Sequence, residues 1–283
     1  MLSRRVGNCS AATLRIYTAN LAQFERATHA GVLAEIDTLA VQRYLTSLHA
    51  TMRPVSVHQH FRTLRTFFRW AVEATLIPAD PMRGITMRLP KTLPRVPDDD
   101  AVRRLLATCN DTFEGRRNKA LVHMLADAGL RISEALRLRI EDVQFGTRTL
   151  SVREGKGGKD GIGFFGAETA HALRAWLATR HGAMAEDFLF VSRGGRALSK
   201  DYATHLLHRL SVRAGLPRKL GPHALRHYAA TSILRQTGDL ELVRQVLRHE
   251  SLTMSLRYAR LAAPEISRKF RRASPMDNLR ASA

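Results

Sequence analysis

Apolar residues near the start of the chain recur at intervals of three and four. Leu14, Tyr17, Leu21 and Phe24 form one such stripe, which predicts a helix. Leu39, Tyr44, Leu45 and Leu48 predict a second. Ser56 is placed to cap a third helix that turns Phe61, Leu64, Phe68 and Val72 inward. That helix also presents His58, His60, Arg62, Arg65 and Arg69, so a basic face runs beside an apolar one. A DNA-facing surface and an ordinary solvated face share this pattern.

Further along, Asp98, Asp99 and Asp100 precede Val102, Leu105 and Leu106, and acidic residues there suit a helix N-terminus. Another helix is expected from Asn118 to Ala128. The period then changes. Leu150 and Val152 alternate with polar residues, a glycine-rich turn runs from Gly155 to Gly161, and Ile162, Phe164 and Phe165 follow, which predicts a β-hairpin. Helical spacing returns from Glu168 to Arg180, from Lys200 to Ala214, and from His223 nearly to the end.

The chain has one clear break in composition. Pro78, Pro81, Pro90, Pro94 and Pro97 crowd one stretch, and proline lacks the amide proton that a helix needs. The expected organisation is a helical unit over residues 1–85, a proline-bearing linker over 86–97, and a larger unit over 98–283. The fold class is mostly α: a small N-terminal helical domain and an α-rich larger domain with a small β-hairpin or sheet.

Charge narrows the partners. Lys+Arg number 45 against 25 Asp+Glu, a formal net charge of +20, with arginine far outnumbering lysine. Such an excess repels itself unless a polyanion shares it, and nucleic acid fits best. Residues 1–85 hold 10 Lys+Arg and 5 Asp+Glu, so both units are basic. The two cysteines, Cys9 and Cys109, are neither a disulfide framework nor a zinc spacing, and a reducing cytoplasm suits them. No apolar run approaches the roughly 18 residues that a bilayer span needs.

Four short segments carry candidate chemistry. The first is Gly129-Leu130-Arg131-Ile132-Ser133-Glu134, a glycine turn from which Arg131 opens a helix. The second is the hairpin turn with Lys156. The third is His223-Ala224-Leu225-Arg226-His227, in which His223 and Arg226 share a helix face. The fourth is His249 with Tyr258 nine residues later. Each alone has a plain structural reading: a surface arginine, a turn lysine, a satisfied pair, a buried histidine, a packed tyrosine. In this order and spacing they resemble the tyrosine recombinase (phage integrase) family, in its compact Xer-like and transposon-borne forms. The resemblance spans nearly the whole chain.

That resemblance implies a small core-binding domain, a catalytic domain, and site-specific cleavage and rejoining of duplex DNA through a 3′-phosphotyrosine, for integration, excision or resolution. It implies Tyr258 as nucleophile, with Arg131 and Arg226 on the phosphate. Lys156 would be the acid for the leaving 5′-hydroxyl, with Lys159 as the fallback. His223 would assist proton transfer and His249 would hydrogen-bond the phosphate or orient the site. Arg62, Arg65, Arg69 and Lys159 are candidate DNA contacts. Chemistry supports these roles. Guanidinium forks match phosphate oxygens, and charge developing on phosphate calls for placed cations. Covalent catalysis splits one hard step into two. The family needs no ATP, metal or other cofactor. Consistently, the chain lacks a phosphate-binding Gly-x-x-x-x-Gly-Lys-Ser/Thr loop, and the pairs His58/His60 and His205/His208 lack partners for zinc.

The expected partners are double-stranded recombination sites bound by a homotetramer, with a second recombinase or an accessory protein as a further possibility. The expected location is the cytoplasm, at the nucleoid. Ile266 and Phe270 in the basic tail would dock on a neighbouring protomer, as the resemblance implies, and the alternative is a basic tail that touches DNA. Two departures stand out. Arg248 occupies a position where relatives usually have glycine, and Asp160-Gly161-Ile162-Gly163-Phe164 replaces the usual basic and proline-bearing strand. Tyr228 is the rival nucleophile. A DNA binder without chemistry and a type IB topoisomerase are the competing classes, and a covalent adduct followed by strand exchange separates them from a recombinase.

Overall fold

The helix running Pro54–Glu73 begins three residues earlier than its serine suggests. Arg53 is the N-cap and Pro54 takes the first position, where proline's missing N–H costs nothing. Ser56 therefore lies inside the helix and does not cap it. In the computed structural model, which describes residues 9, 11–29, 31–89, 96–153 and 160–259, this helix (α3) follows α1 (Ala11–Thr28) and α2 (Thr38–Leu48). Their shared core is Phe24, Val41, Tyr44, Leu45, Leu48, Phe61, Leu64 and Phe68, with Ile77 and Met82 closing it. Phe24 meets Tyr44 edge-on at 5.0 Å.

Two expected positions change. Leu39 is 49% exposed, and Val41 takes the inward place on α2. His60 is buried and shares a 2.9 Å hydrogen bond between its Nδ1 and Tyr44 Oη, so it leaves the basic face. Met87, expected in the linker, packs against this core with Ile85. The chain separates into the units Met1–Thr92 and Leu93–Ala283.

In the second unit α4 (Asp99–Ala107) is capped by Asp98, whose carboxylate accepts from the Ala101 N–H at 2.7 Å. The next helix, α5 (Phe113–Ala126), starts five residues before the expected Asn118, because Thr112 caps it and accepts from Gly115 N. It is the central helix: Ala120, Leu121, Val122, Met124 and Leu125 are all fully buried. Each such leucine or methionine stabilises the fold by ~1.5–3 kcal/mol.

The one-turn helix α6 (Ile132–Ala135) leads to a three-stranded antiparallel sheet, β1 (Val143–Gln144), β2 (Thr149–Val152) and β3 (Gly161–Phe164), in that order. Thr149 pairs with Phe164 and Val152 with Gly161. Leu150 and Val152 face inward, as the alternation requires. Strand β1 was not expected, being too short to show a period.

Helix α7 (Ala167–Leu177) buries Trp176, whose Nε1 donates to Leu189 O at 2.8 Å. Helix α8 (Lys200–Arg213) is capped by Ser199. The final helical run is broken into α9 (Pro222–Thr237), α10 (Leu240–Val246) and α11 (Leu252–Ala259). Gly238, left-handed at φ 76°, ends α9, and Arg248, at φ 52°, marks the break after α10. A small second core of Ala230, Leu234, Val243, Leu247 and Tyr258 joins these three helices. Among the described residues no helix is long and apolar enough to cross a membrane.

Candidate active site

The site starts at Gly129. Its φ of +59° is left-handed, and a β-carbon there would lie 2.5 Å from Leu247 Cδ2. Only glycine lets the chain turn sharply under the α10–α11 loop, and the next residues open α6. Arg131 is the N-cap. Glu134, three residues on, accepts from the Arg131 backbone N–H at 2.9 Å and from Arg131 Nη1 at 2.6 Å. The short helix therefore aims the Arg131 side chain.

Arg226 enters from α9, flanked by the buried Leu225 and Ala229. Its Nη1 donates to Gly129 O and its Nη2 to Leu247 O at 2.6 Å. One guanidinium thus ties the glycine turn to the α10–α11 loop. Arg226 Nη1 also lies 4.0 Å from Glu134 Oε2. Arg248 reaches the same carboxylate, donating from Nη2 to Glu134 Oε2 at 2.7 Å and from Nη1 to Val246 O at 3.1 Å. Among the described residues, Arg131, Arg226 and Arg248 converge on Glu134.

Electrostatics follows from that crowding. Burial first, then the charge of Arg131, brings the Arg226 pKa down to about 10, which still leaves it a cation at neutral pH. For Glu134, burial pushes upward, but Arg248 and the bonds to Arg131 outweigh it and hold its carboxyl below the usual range. His223 stands exposed in the first turn of α9. Partial desolvation, and then Arg226, Lys200 and Arg131, hold its pKa below the ordinary value.

The second half of the site is Tyr258 on α11, only 2% exposed. Its Oη shares a 2.9 Å hydrogen bond with His227 Nδ1. Its ring lies parallel to His249 at 6.3 Å between centroids. Tyr258 is close enough to Arg226 to act on that charge. His249 is not on a helix as the spacing implied; it sits in the loop between α10 and α11, buried, with Nδ1 hydrogen-bonded to Ser255 Oγ at 2.8 Å.

The fold thus brings Arg131, His223, Arg226, His249 and Tyr258 to one place. Lys156 and Lys159 lie outside the described residues, as do Ile266 and Phe270. Arg62, Arg65 and Arg69 sit on the exposed side of α3 in the first unit. Tyr228 lies on α9, where burial and the neighbouring Asp99 push its phenol upward, the wrong direction for a nucleophile. Glu134 and His227 stood inside the motifs without an assigned role, and Arg248 stood out as a departure without its partner being evident. Glu134 carried one usable signal, since a glutamate at the third position of a helix bonds back to its N-cap. Among the described residues no group of three or more His, Cys, Asp or Glu is placed to hold a metal ion.

Residues 95–265 match the phage integrase family. The tyrosine recombinase XerC of Oceanobacillus iheyensis is 32% identical, over 96% of this chain and 92% of the relative. XerC of Xanthomonas campestris pv. campestris is 30% identical, over 94% and 84%. The crystal structure of XerH bound to a palindromic difH substrate, a post-cleavage complex, superposes with a TM-score of 0.77 at 23% identity, covering 95% of this chain and 81% of that one.

Proposed function

The chain belongs to the phage integrase family, the tyrosine recombinases that cleave and rejoin DNA at specific sites, and on that premise we propose how its residues divide the reaction. Arg131 and Arg226 hold the non-bridging oxygens of the scissile phosphate. Two fixed guanidinium forks offset the charge that grows there in the transition state, without reorganising at that moment. Tyr258 Oη attacks phosphorus, the P–O5′ bond breaks, and a 3′-phosphotyrosine forms. The phenolic proton passes to a histidine. His227 is the group hydrogen-bonded to Oη and takes this part, with His223 assisting. Lys156 protonates the departing 5′-oxygen. His249 orients Tyr258 by stacking.

The phosphotyrosine retains the energy of the phosphodiester, so rejoining needs no ATP. A phenol 2% exposed cannot meet a phosphate as it stands, so α11 shifts when DNA enters. The working form is a homotetramer on two duplex sites, with room for a partner recombinase or accessory protein. The tail residues Ile266 and Phe270 dock on a neighbour. Arg62, Arg65, Arg69 and Lys159 contact the duplex, and the protein works at the nucleoid. The element moved, and whether the outcome is integration, excision or resolution, depends on the DNA sites.

The observation that supports this reading is the convergence of Arg131 and Arg226 around Glu134, with Tyr258 and its histidine partners packed beside them. The test is a nicked duplex carrying the protein's own site, resolved on a denaturing gel. Wild type and Tyr228→Phe are expected to trap a covalent protein–DNA adduct, and Tyr258→Phe none. Absence of any adduct on DNA that the protein binds would leave a binder without chemistry.

A further inference from the structure

Arg248 occupies a backbone position that an arginine adopts at a cost. Its φ is +52°, in the left-handed region that glycine enters freely, just past the end of α10. Such a residue persists when its surroundings over-determine it. Here they do. Its Nη2 takes Glu134 Oε2 at 2.7 Å while Arg131 Nη1 takes Oε1 at 2.6 Å, so the two arginines divide one carboxylate. Its Nη1 is anchored on Val246 O at 3.1 Å.

The rest of the side chain lies on β3. A β-carbon at Gly161 would stand 2.8 Å from Arg248 Cδ, and one at Gly163 would stand 3.3 Å from Arg248 Nη1. Glycine weakens a strand unless something must come close, and here it is this arginine. An arginine where the backbone favours glycine is thus matched by glycines on the strand beneath it. Its side chain is only 14% exposed, and it keeps the buried Glu134 paired on the oxygen that Arg131's guanidinium leaves open.

We propose that Arg248 is a positioning residue for phosphate capture: seated on Gly161 and Gly163, it clamps Glu134 and so fixes the aim of Arg131. The proposal rests on the reading that Arg131 holds the scissile phosphate. It makes the Arg131–Glu134 unit dependent on the packing of β3, so the sheet and the glycine turn act as one assembly.

The experiment compares the full-length wild type with Arg248→Gly, Arg248→Lys, Glu134→Gln and the double variant Arg248→Gly/Glu134→Gln. Thermal unfolding, equilibrium binding to the recombination site and single-turnover cleavage of a nicked duplex are measured for each. Arg248→Gly relieves the left-handed strain but takes one partner from the buried Glu134, so the two effects oppose each other and its unfolding temperature and DNA affinity should stay close to wild type. Its cleavage rate should nevertheless fall about tenfold or more, the size of effect seen when a group that orients a ligand-binding side chain is removed. Arg248→Lys, a point charge without the fork, should recover part of that loss. The double variant should cleave no more slowly than the poorer single variant, because both changes cut the same link. Cleavage by Arg248→Gly at the wild-type rate, or additive losses in the double variant, would overturn the proposal. Failure of wild type itself to form an adduct on bound DNA would instead overturn the functional reading beneath it.

Discussion

Arginine serves in two contrasting ways in the two units of this protein. On α3 the side chains of Arg62 and Arg69 are exposed and form no ion pair among the described residues. Arg65 beside them lies over the Phe61 ring at 4.6 Å and donates to Ile85 O at 2.7 Å. In the second unit Arg226 is 5% exposed and satisfied by two backbone carbonyls, and Arg131 and Arg248 share Glu134. An exposed guanidinium keeps its water and its freedom. Its attraction to phosphate comes largely from released counterions, is roughly additive, and weakens with salt. A buried guanidinium was desolvated when the protein folded. Carbonyls and Glu134 bear that cost, and the remaining charge acts at a fixed point in a low dielectric, where it discriminates a transition state from a ground state. The first arrangement suits holding DNA and the second suits altering it.

The sharpest way to break this contrast is Arg226→Lys. Lysine cannot reach Gly129 O and Leu247 O with a planar fork, so cleavage should fall by about 10²–10³, the usual loss for one preorganised donor, while binding stays within a few-fold. Single-turnover kinetics beside a filter-binding titration checks it. Equal losses in both would mean that Arg226 is not reserved for the chemistry.

The converse variant replaces Arg62, Arg65 and Arg69 with alanine. Cleavage at saturating DNA should hold, while affinity falls and the log–log salt slope drops by about 0.9 for each phosphate contact removed. A smaller rate at saturation would move α3 from holding DNA into the chemistry.

The smallest effect concerns Glu134. Its carboxyl is held low in the folded protein, so the stability it contributes is complete above the ordinary carboxylate pKa of about 4.3. That contribution is lost as pH falls through the depressed folded value. Unfolding temperatures of wild type and Glu134→Gln should differ most near neutrality and converge in acid. A gap that widens in acid would mean that Glu134 is protonated in the folded state.

Much of this arrangement was legible in the amino-acid sequence, and what was missed has physical causes. Asp98 marks a helix start, and Leu150 and Val152 mark the inner face of a strand, because capping and alternation are local. The residues Arg131, Arg226, His249 and Tyr258 were recognisable as an ordered series. Helical spacing ran on past Thr237, however, because a left-handed Gly238 and the Arg248 break leave the apolar period nearly intact. His60 looked like part of a basic face until Tyr44, on another helix, supplied its hydrogen-bond partner. The link between Tyr258 and His227 spans 31 residues, and that between Arg248 and Glu134 spans 114. No local pattern encodes a pairing of that reach.

The two carbonyls gripped by Arg226 carry a final implication for the protein's life in the cell. Gly129 lies 97 residues upstream and Leu247 lies 21 downstream, so one guanidinium is held by carbonyls from segments translated at different times. A nascent chain emerging from the ribosome presents Arg131 long before Leu247 exists, and Tyr258 comes later still. A product terminated before Leu247 would lack both the carbonyl that Arg226 Nη2 grips and Tyr258. On the roles proposed above, cleavage has to wait until Tyr258 has been synthesised and packed, so the order of the chain acts as a form of quality control.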